Sequence, residues 1–507
     1  MEFTPPDVQL GAIAPEIALS ITALVVLLLD AFVGDRRNRW YLPLLATVGL
    51  AVSIWLAIDV WDRMQTQLAV FNPADPDPQL QMSGMVVLDG FATFVKVTLA
   101  VFGILTVWLA HDYLIREDIE ASEFYGLVVF SIAGMMLMAS SSDLIITFLA
   151  LETFSLALYV LVGFRRRSLI GQESAMKYFL LGAFSSTFFL MGIALVYGAT
   201  GSTSFYGGPG SDGLSGFLGA HPASDVGLLL VGVGFLIVGL GFKVAAVPFH
   251  MWTPDAYQGA PSPVTGFMAA GSKLAGFAAL LRLLDGTLFS LRWDWRPLVI
   301  TIAILTMVVG SILAVVQEDI KRLLAYSSIA HAGFVLTAII ATNDSGVSGA
   351  LFYLAAYGIT VLGAFAVVAL VAERDEVRVR LSDMRGLFYE RPALAGALTL
   401  FMLSLAGVPL TSGFVAKFVV FGAAIEAGYS WLVVIGMIAS AIAAFFYLRV
   451  MAVMYMQEPE VERVAEPLGR FALGVVVLTA LATVALGIVW SPLIDAAEHA
   501  TMFFTSG

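Results

Sequence analysis

The sequence has no cysteine among its 507 residues. This absence excludes disulfides, thiolate-bound iron–sulfur clusters and cysteine nucleophiles from the chain. Histidine is scarce as well, with five residues, of which we place only His250 and His331 near membrane helices. Two such histidines are too few to hold the haems of a two-haem cytochrome. We therefore expect no cofactor in this chain, so any redox chemistry belongs to a partner.

Charge is the second shortage. Charged residues make up 13% of the sequence, against roughly 25% in a typical soluble domain, whereas 59% of the residues are hydrophobic. The apolar residues form many stretches of about 20, each long enough to cross a hydrocarbon layer about 30 Å thick. The formal charge of −12 lies largely in loops and indicates nothing about nucleic-acid binding. The sequence predicts a chain that is solvated by a lipid bilayer.

Hydropathy and turn residues together predict an all-α polytopic membrane protein with about fourteen transmembrane helices. The first stretch has no basic region before it and no small-residue cleavage site after it, so we expect a retained helix instead of a signal peptide. The predicted spans are 12–33, 41–60, 84–110, 124–142, 143–163, 172–199, 226–249, 261–285, 297–316, 322–341, 346–371, 393–424, 430–455 and 470–492.

The basic residues of the loops predict the orientation of the spans. One set of alternate loops holds sixteen basic residues and the other holds three, the asymmetry expected when the richer set faces the cytoplasm. Both termini should then lie on the non-cytoplasmic side of a bacterial-type inner membrane. The poorer set is Arg63, Arg292 and Arg296; the richer set is Arg36, Arg37, Arg39, Arg116, Arg165, Arg166, Arg167, Lys321, Arg322, Arg374, Arg378, Arg380, Arg385, Arg391, Arg463 and Arg470.

Two spans contain helix-breaking residues. Residues 243–263 hold four prolines, and residues 405–417 hold Gly407, Pro409 and Gly413. Paired broken helices are typical of transporters that are built from two repeated halves. Five helices separate the seventh span from the twelfth, and an odd offset inverts the second copy in the membrane. The connectors 72–83 and 200–225 are predicted to be irregular and to have no core of their own.

Four ionisable residues lie deep in these apolar spans: Glu152, Lys243, Lys273 and Lys417. Glu152 is about 13 Å from the nearer end of its helix at 1.5 Å per residue. A charge at such depth costs about 2.5 to 3.5 kcal/mol, so it should face the bundle interior and find a partner. Burial also disfavours the charged form of lysine, which can then exchange a proton. Structural ion pairing is the alternative, but three lysines and one carboxylate favour a proton path.

Other ionisable residues carry weaker signals. Lys177 can pair with Glu173 four residues earlier on the same helix face. His250 stands seven residues after Lys243, two helical turns along one face, and could relay a proton or simply cap the helix break. His331, on the tenth span, is likewise a candidate supporting residue of the path. The last three intramembrane cations are predicted to extend to the interface: Lys96, Arg282 and Arg449.

Several motifs resemble one known family. The most specific is GFKVAAVPFHMWTPDAYQGAPSPVTGF at 241–267, which resembles the broken seventh helix of the antiporter-like subunit N of respiratory complex I. The strings at 148–163, 173–186, 271–277 and 407–418 resemble that family in the same order. KRLLAYSSIAHAGF at 321–334 is shared with subunits L and M and with cation/proton antiporters, so it identifies only the superfamily. The chain lacks the long C-terminal extension of subunit L.

The resemblance implies a fold of fourteen helices with two inverted five-helix repeats around broken seventh and twelfth helices. It divides one membrane domain into three N-terminal helices (1–123), a first repeat (124–285), a second repeat (297–456) and a C-terminal helix (457–507). It implies that Glu152, Lys243, Lys273 and Lys417 form the proton path, with Lys177 and His250 in support.

The resemblance also implies a proton-translocating subunit of NADH:quinone oxidoreductase, in which FMN, iron–sulfur clusters and quinone belong to partner subunits. The expected partners are subunit M, small membrane subunits and the lipid bilayer, and no nucleic acid. A subunit of a cation/proton antiporter or of a membrane-bound hydrogenase complex is the alternative.

Overall fold

The structure, a computed structural model, describes residues 9–33, 39–68, 79–119, 121–207, 212–221, 227–373, 379–458, 469–500 and 502. Within these residues, 12 helices are long and apolar enough to cross a membrane, and two shorter apolar helices, Gly227–Lys243 and Pro392–Ala406, bring the number of spans to fourteen. The predicted all-α polytopic fold is therefore confirmed. The inverted repeat remains a prediction, and five of the basic residues used to predict orientation, Arg36, Arg37, Arg374, Arg378 and Arg463, lie outside the described residues.

The fourteen spans follow the predicted order, including the separate fourth and fifth spans. They are Ala14–Val33, Tyr41–Leu68, Gly90–Glu117, Ser122–Ser140, Leu144–Val162, Leu169–Thr200, Gly227–Lys243, Ser262–Thr287, Arg292–Val315, Ile320–Ala341, Asp344–Val371, Pro392–Ala406, Ser430–Met456 and Arg470–Ile488. Below they are numbered one to fourteen. The twelfth span continues after its break as Ser412–Glu426, and a short helix, Ser491–Glu498, follows the fourteenth.

The connectors contain more regular structure than the sequence predicted. Leu80–Gln81 pairs antiparallel with Val86–Val87. Between the sixth and seventh spans, Gly213–Ala220 is helical and buries Leu214 and Leu218. The prediction of an irregular connector at 200–225 was therefore wrong for this segment, because its leucines supply an apolar face that packs on the bundle.

The eighth, tenth and eleventh spans form the centre of the bundle. Buried residues account for 100%, 94% and 94% of their most apolar stretches, against 33% in the first, sixth and fourteenth spans. The fully enclosed eighth span carries Lys273 and the tenth carries His331. These two predicted site residues therefore lie on the most enclosed of the described spans.

Both helix breaks occur where the sequence predicted them. The seventh span ends at Lys243, Ala245 has a positive φ of 62°, and residues 244–251 form turns before the short helix Trp252–Gly259. Pro248 has no N–H to donate to a helical hydrogen bond, so the helix cannot continue through it. In the twelfth span, Gly407 adopts a φ of 88° and Leu410 a φ of 70°. Each break leaves backbone carbonyls without a helical donor.

Two cations predicted to extend to the interface are instead buried in ion pairs. Lys96 Nζ lies 2.7 Å from Glu16 Oε1, which joins the third span to the first. Arg282 donates to both carboxylate oxygens of Asp89, at 2.8 and 3.0 Å, and to the Ala139 carbonyl. The interface prediction was wrong for both because an acidic partner on another span satisfies each charge inside the bundle.

Arg449 behaves differently from these two cations. It donates to the carbonyls of Val315 and Gln317 at the end of the ninth span. Basic side chains commonly satisfy the free carbonyls at a helix C-terminus. His111, which we did not place in a membrane helix, is a buried residue of the third span, with Nδ1 3.2 Å from the Tyr125 hydroxyl.

The Arg282–Asp89 pair should support the fold far more than a surface pair does. We expect Arg282→Met to lower the free energy of unfolding by about 3–5 kcal/mol, because it leaves the Asp89 carboxylate buried without its cation. The control is Arg63→Met, which removes an i,i+4 pair with Asp59 whose arginine is 73% exposed and should cost less than about 1 kcal/mol. Thermal unfolding of the detergent-purified chain measures both. Equal losses in the two variants would contradict this account.

Candidate functional site

Lys243 ends the seventh span and is 2% exposed. Its Nζ donates to the Ser155 hydroxyl at 2.7 Å and to the Tyr178 hydroxyl at 3.2 Å, and it lies 4.5 Å from the centre of the Phe154 ring. These neutral groups come from the fifth and sixth spans. They satisfy the ammonium group without fixing it in an ion pair, so both its charged and its neutral form can be accommodated.

Glu152 lies at the edge of the bundle, not in its interior as predicted. It is half-buried, and its neighbours Leu149 and Leu156 on the fifth span are more than half exposed. The Ser186 hydroxyl of the sixth span donates to Glu152 Oε1. The Glu152 carboxylate and the Lys243 ammonium, both of them described, do not form an ion pair. In the isolated chain, one side of Glu152 is therefore open to whatever packs against the fifth span.

A small cavity connects the surroundings of these two residues. It has a volume of about 10 Å³ and is lined by Ser155, Ser186 and Lys243 among others. A volume of about 10–15 Å³ is the least that holds one water molecule. Ser186 bonds to Glu152 and lines the cavity, so one water there would join the carboxylate to the lysine.

Lys273 lies on the eighth span immediately after a π-helical turn, Met268–Ser272. It is 2% exposed and its Nζ donates to the Ser328 carbonyl on the tenth span. One helical turn further, Gly276 contacts Lys243: a Cβ built on this glycine would come within 3.7 Å of Lys243 Cβ and Cγ. Residues three apart share a helix face. Lys273 and Lys243 therefore lie along the same contact between the seventh and eighth spans.

His331 occupies the centre of the tenth span and is 4% exposed. Its Nδ1 lies 2.6 Å from the Tyr353 hydroxyl and its Nε2 lies 3.2 Å from the Tyr447 hydroxyl, which also bonds to Ser327. Because both ring nitrogens have hydroxyl partners, which can donate or accept, the histidine can exchange tautomers without losing a hydrogen bond.

Lys417 lies just beyond the break in the twelfth span. Its Nζ donates to the carbonyls of Leu405 and Ala406, at 3.1 and 2.9 Å, and to the Ser440 hydroxyl at 2.7 Å. The break frees these two carbonyls, so it creates the binding site for the lysine. Lys417 Nζ also lies 5.1 Å from the Phe334 ring, whose centre is 5.7 Å from that of His331.

These contacts link five of the predicted residues, Glu152, Lys243, Lys273, His331 and Lys417, and one residue that was not predicted, Ser186, into a set that we call the lateral chain. Ser328, His331 and Phe334 are spaced by three residues on the tenth span. One face of that helix therefore leads from the partner of Lys273 to the ring beside Lys417. The two broken spans hold Lys243 and Lys417, the lysines nearest the two ends of the lateral chain.

Lys177 and His250 lie outside the lateral chain. Lys177 has a side chain that is 46% exposed, and it pairs with Glu173 at 2.8 Å and with Asp255 at 3.0 Å. Asp255 in turn pairs with Arg322 at the start of the tenth span. His250 lies in the turns that follow Lys243. It does not stand two helical turns along the same face as predicted, because the helix has already ended.

The neutral partners of the lateral chain and the acid Asp255 were not predicted from the sequence. Tyr178, Tyr353 and Tyr447 are all buried and bond to Lys243 or His331. Each lies within an apolar span, where a tyrosine hydroxyl needs a partner. That requirement was the available signal, but nothing in the sequence names the partner.

Comparison with known proteins identifies the family. The family model described as "NADH:quinone oxidoreductase/Mrp antiporter, TM" matches residues 141–443. NADH-quinone oxidoreductase subunit N of Parafrankia sp. is 42% identical, over 100% of this chain and 97% of that protein. The chain belongs to the NADH-quinone oxidoreductase subunit N family. The alignment with this relative spans the whole chain, so it includes every residue of the site.

Solved structures agree with membership of the subunit N family. A chain of Thermus thermophilus respiratory complex I with bound aureothin superposes with a TM-score of 0.76 at 33% identity, covering 96% of this chain and all of that one. A chain of the archaeal membrane-bound sulfane sulfur reductase superposes with a TM-score of 0.80 at 26% identity, covering 97% of both.

The break in the twelfth span should depend on Gly407. We expect Gly407→Ala to lower the free energy of unfolding by about 1–2 kcal/mol, because a left-handed conformation is unfavourable with a Cβ. The new methyl group would also come within 3.0 Å of Lys417 Cδ. Gly396→Ala in the same span is the matched control. Its Cβ meets nothing within 4 Å, so the substitution should be neutral or stabilising. Thermal unfolding of both variants measures this, and equal stability would contradict the assignment.

Proposed function

We propose that this chain is the proton-translocating membrane subunit N of an NADH:quinone oxidoreductase, with no redox step of its own. The observation that supports this most is the lateral chain, a row of ionisable and hydroxyl groups that crosses an otherwise apolar bundle. Each buried charge costs energy in such an environment. A scaffold would gain nothing by retaining it. FMN, iron–sulfur clusters and quinone would reside in partner subunits.

The chemistry we propose is proton exchange between lysines whose partners are neutral. When Glu152 is ionised, it stabilises the charged form of Lys243 through the water-sized cavity and Ser186. When that influence is removed, burial favours release of the proton toward Lys273 and then His331 and Lys417. The hydroxyls of Tyr353 and Tyr447 keep His331 able to accept on one nitrogen while it donates on the other.

The exposed side of Glu152 supports assembly with other membrane subunits. A half-buried carboxylate on an apolar helix surface would face lipid in the isolated chain, which is unfavourable. A neighbouring subunit that covers this surface would both relieve that cost and alter the charge state of Glu152. We propose that the input from the redox subunits arrives here, and that subunit M and small membrane subunits are partners. We further propose that both termini lie on the non-cytoplasmic side.

A second candidate function is a subunit of another ion-translocating membrane complex. The similarity to the sulfane sulfur reductase chain supports it, since a TM-score of 0.80 exceeds that of the complex I chain. Full-length identity of 42% to a subunit N supports the first candidate.

Affinity purification of the tagged chain from its native membrane distinguishes the two candidate functions by the subunits that accompany the chain. Absence of NADH dehydrogenase activity in the purified complex would favour the second.

The carboxylate of Glu152 should be required for coupling. We expect Glu152→Gln in the assembled complex to lower NADH-driven proton pumping and the coupled oxidation rate by about fivefold or more, because a charge interaction of at least about 1 kcal/mol with Lys243 is lost. The amide retains the shape and the Ser186 hydrogen bond but not the charge. Proton uptake and NADH oxidation in inverted vesicles are the measurements. Glu426→Gln, an exposed carboxylate, is the control. Parental rates in assembled Glu152→Gln would exclude the role.

Lys273 should differ from a structural cation by its need to release a proton. Arginine keeps its charge inside proteins, so Lys273→Arg should impair pumping nearly as much as Lys273→Met. If the lysine only balanced charge, arginine would retain more function than methionine. Assembly and thermal stability of both variants must be measured first, since the larger guanidinium can strain the site. Near-parental pumping by assembled Lys273→Arg would exclude the relay.

A further inference from the structure

A groove on the outer face of the bundle has features of a lipid site. It lies between the first, fourth and fifth spans and has a volume of about 530 Å³. Pockets of roughly 300–1,000 Å³ hold small organic molecules. Its walls are apolar, with Leu24, Leu27, Phe130 and Val160 all partly exposed within it. Glu123 and Arg166 also line it.

The two charges lie at the same end of the groove. Glu123 is in the first turn of the fourth span, and Arg166 follows the end of the fifth span by four residues. The apolar wall then runs along the fourth span from Glu123 to Phe130. Seven residues at 1.5 Å each make this about 10 Å, within the depth of one leaflet. The groove is thus polar at headgroup level and apolar at acyl-chain level.

Neither charge has an ionic partner among the residues that the structure describes. The adjacent Arg165 is buried and pairs with Glu117 at 3.1 Å, and Arg116 pairs with the same carboxylate. By contrast, Arg166 forms no ion pair with any residue that the structure describes. Among the described residues, the only hydrogen-bond partner of the Glu123 side chain is the hydroxyl of the neighbouring Ser122, at 3.5 Å. An exposed cation and an exposed anion are therefore both available at the head of an apolar groove.

We propose that this groove binds one phospholipid with an amine headgroup, of the phosphatidylethanolamine class. Arg166 would bind the phosphate, Glu123 would bind the ammonium, and one acyl chain would lie along the wall formed by Leu24, Leu27, Phe130 and Val160. Arginine is well suited to phosphate, with which it forms bidentate hydrogen bonds. Glu123 also disfavours purely anionic lipids, since it would repel their net charge. The lipid would pack the first span against the fifth, the helix that carries Glu152.

The test uses the full chain in nanodiscs that contain equal amounts of phosphatidylethanolamine and phosphatidylglycerol. A photoactivatable phosphatidylethanolamine is crosslinked, and the sites are mapped by mass spectrometry. We expect crosslinks within 123–130 and 160–166. Arg166→Gln and Glu123→Gln should each reduce them by up to about fivefold, the upper end of the range for an exposed charge pair. Arg167→Gln, at the neighbouring arginine outside the groove, should leave them unchanged.

Val160→Trp provides a second variant that leaves both charges in place. Val160 is 55% exposed, so the larger ring fills the groove without entering the core, and crosslinking should fall about tenfold or more through lost acyl-chain burial. Undiminished crosslinking in Val160→Trp would overturn the proposal. So would equal crosslinking by photoactivatable phosphatidylglycerol. In the intact complex, these residues could be protected from solvent while no lipid is crosslinked to them. A partner helix would then occupy the groove, and the proposal would be wrong.

Discussion

The structure depends on how ammonium groups are held inside an apolar bundle. A lysine in a low-dielectric interior is stable when hydrogen-bond acceptors surround it, and it stays exchangeable when those acceptors are neutral. Lys243 has two hydroxyls, Lys273 a backbone carbonyl, and Lys417 two carbonyls and a hydroxyl. By contrast, Arg282 and Lys96 form ion pairs with carboxylates, and we interpret both as structural cations. In the proposed mechanism, the neutral partners of Lys243, Lys273 and Lys417 leave these lysines able to exchange protons, whereas the carboxylates fix Arg282 and Lys96 as cations that join helices.

The broken spans follow from this requirement. The last carbonyls before a break have no helical donor, so they are free to accept hydrogen bonds from a buried lysine. The turn at Gly407 releases the carbonyls of Leu405 and Ala406, and Lys417 on the next helical segment binds both. In the seventh span, the helix ends at Lys243 itself, which places its ammonium against the fifth and sixth spans. Each break therefore positions one lysine of the lateral chain.

Depth in an apolar stretch and position beside a helix break were the signals by which the sequence pointed to four residues of the lateral chain. Glu152 and Lys273 stood out because an ionisable group far from both helix ends is costly to bury, and Lys243 and Lys417 stood out because they adjoin the helix breaks. The breaks were visible as proline and glycine. Pairings between spans could not be predicted, because they depend on which helices pack together. For this reason Lys96 and Arg282 were wrongly predicted to extend to the interface, and Glu152 was wrongly predicted to face the interior of the bundle. The tyrosines that flank His331 were missed for the same reason.

In the proposed mechanism, His331 joins the two halves of the bundle, and one comparison tests this most directly. His331→Phe removes the nitrogens bonded to Tyr353 and Tyr447 while keeping an aromatic ring of similar volume. His111→Phe does the same to another buried histidine, one that bonds to Tyr125 in the third span, away from the lateral chain. NADH-driven proton uptake is measured in vesicles with each assembled variant. The account predicts strongly reduced pumping in His331→Phe and near-parental pumping in His111→Phe. Parental pumping by assembled His331→Phe would contradict it.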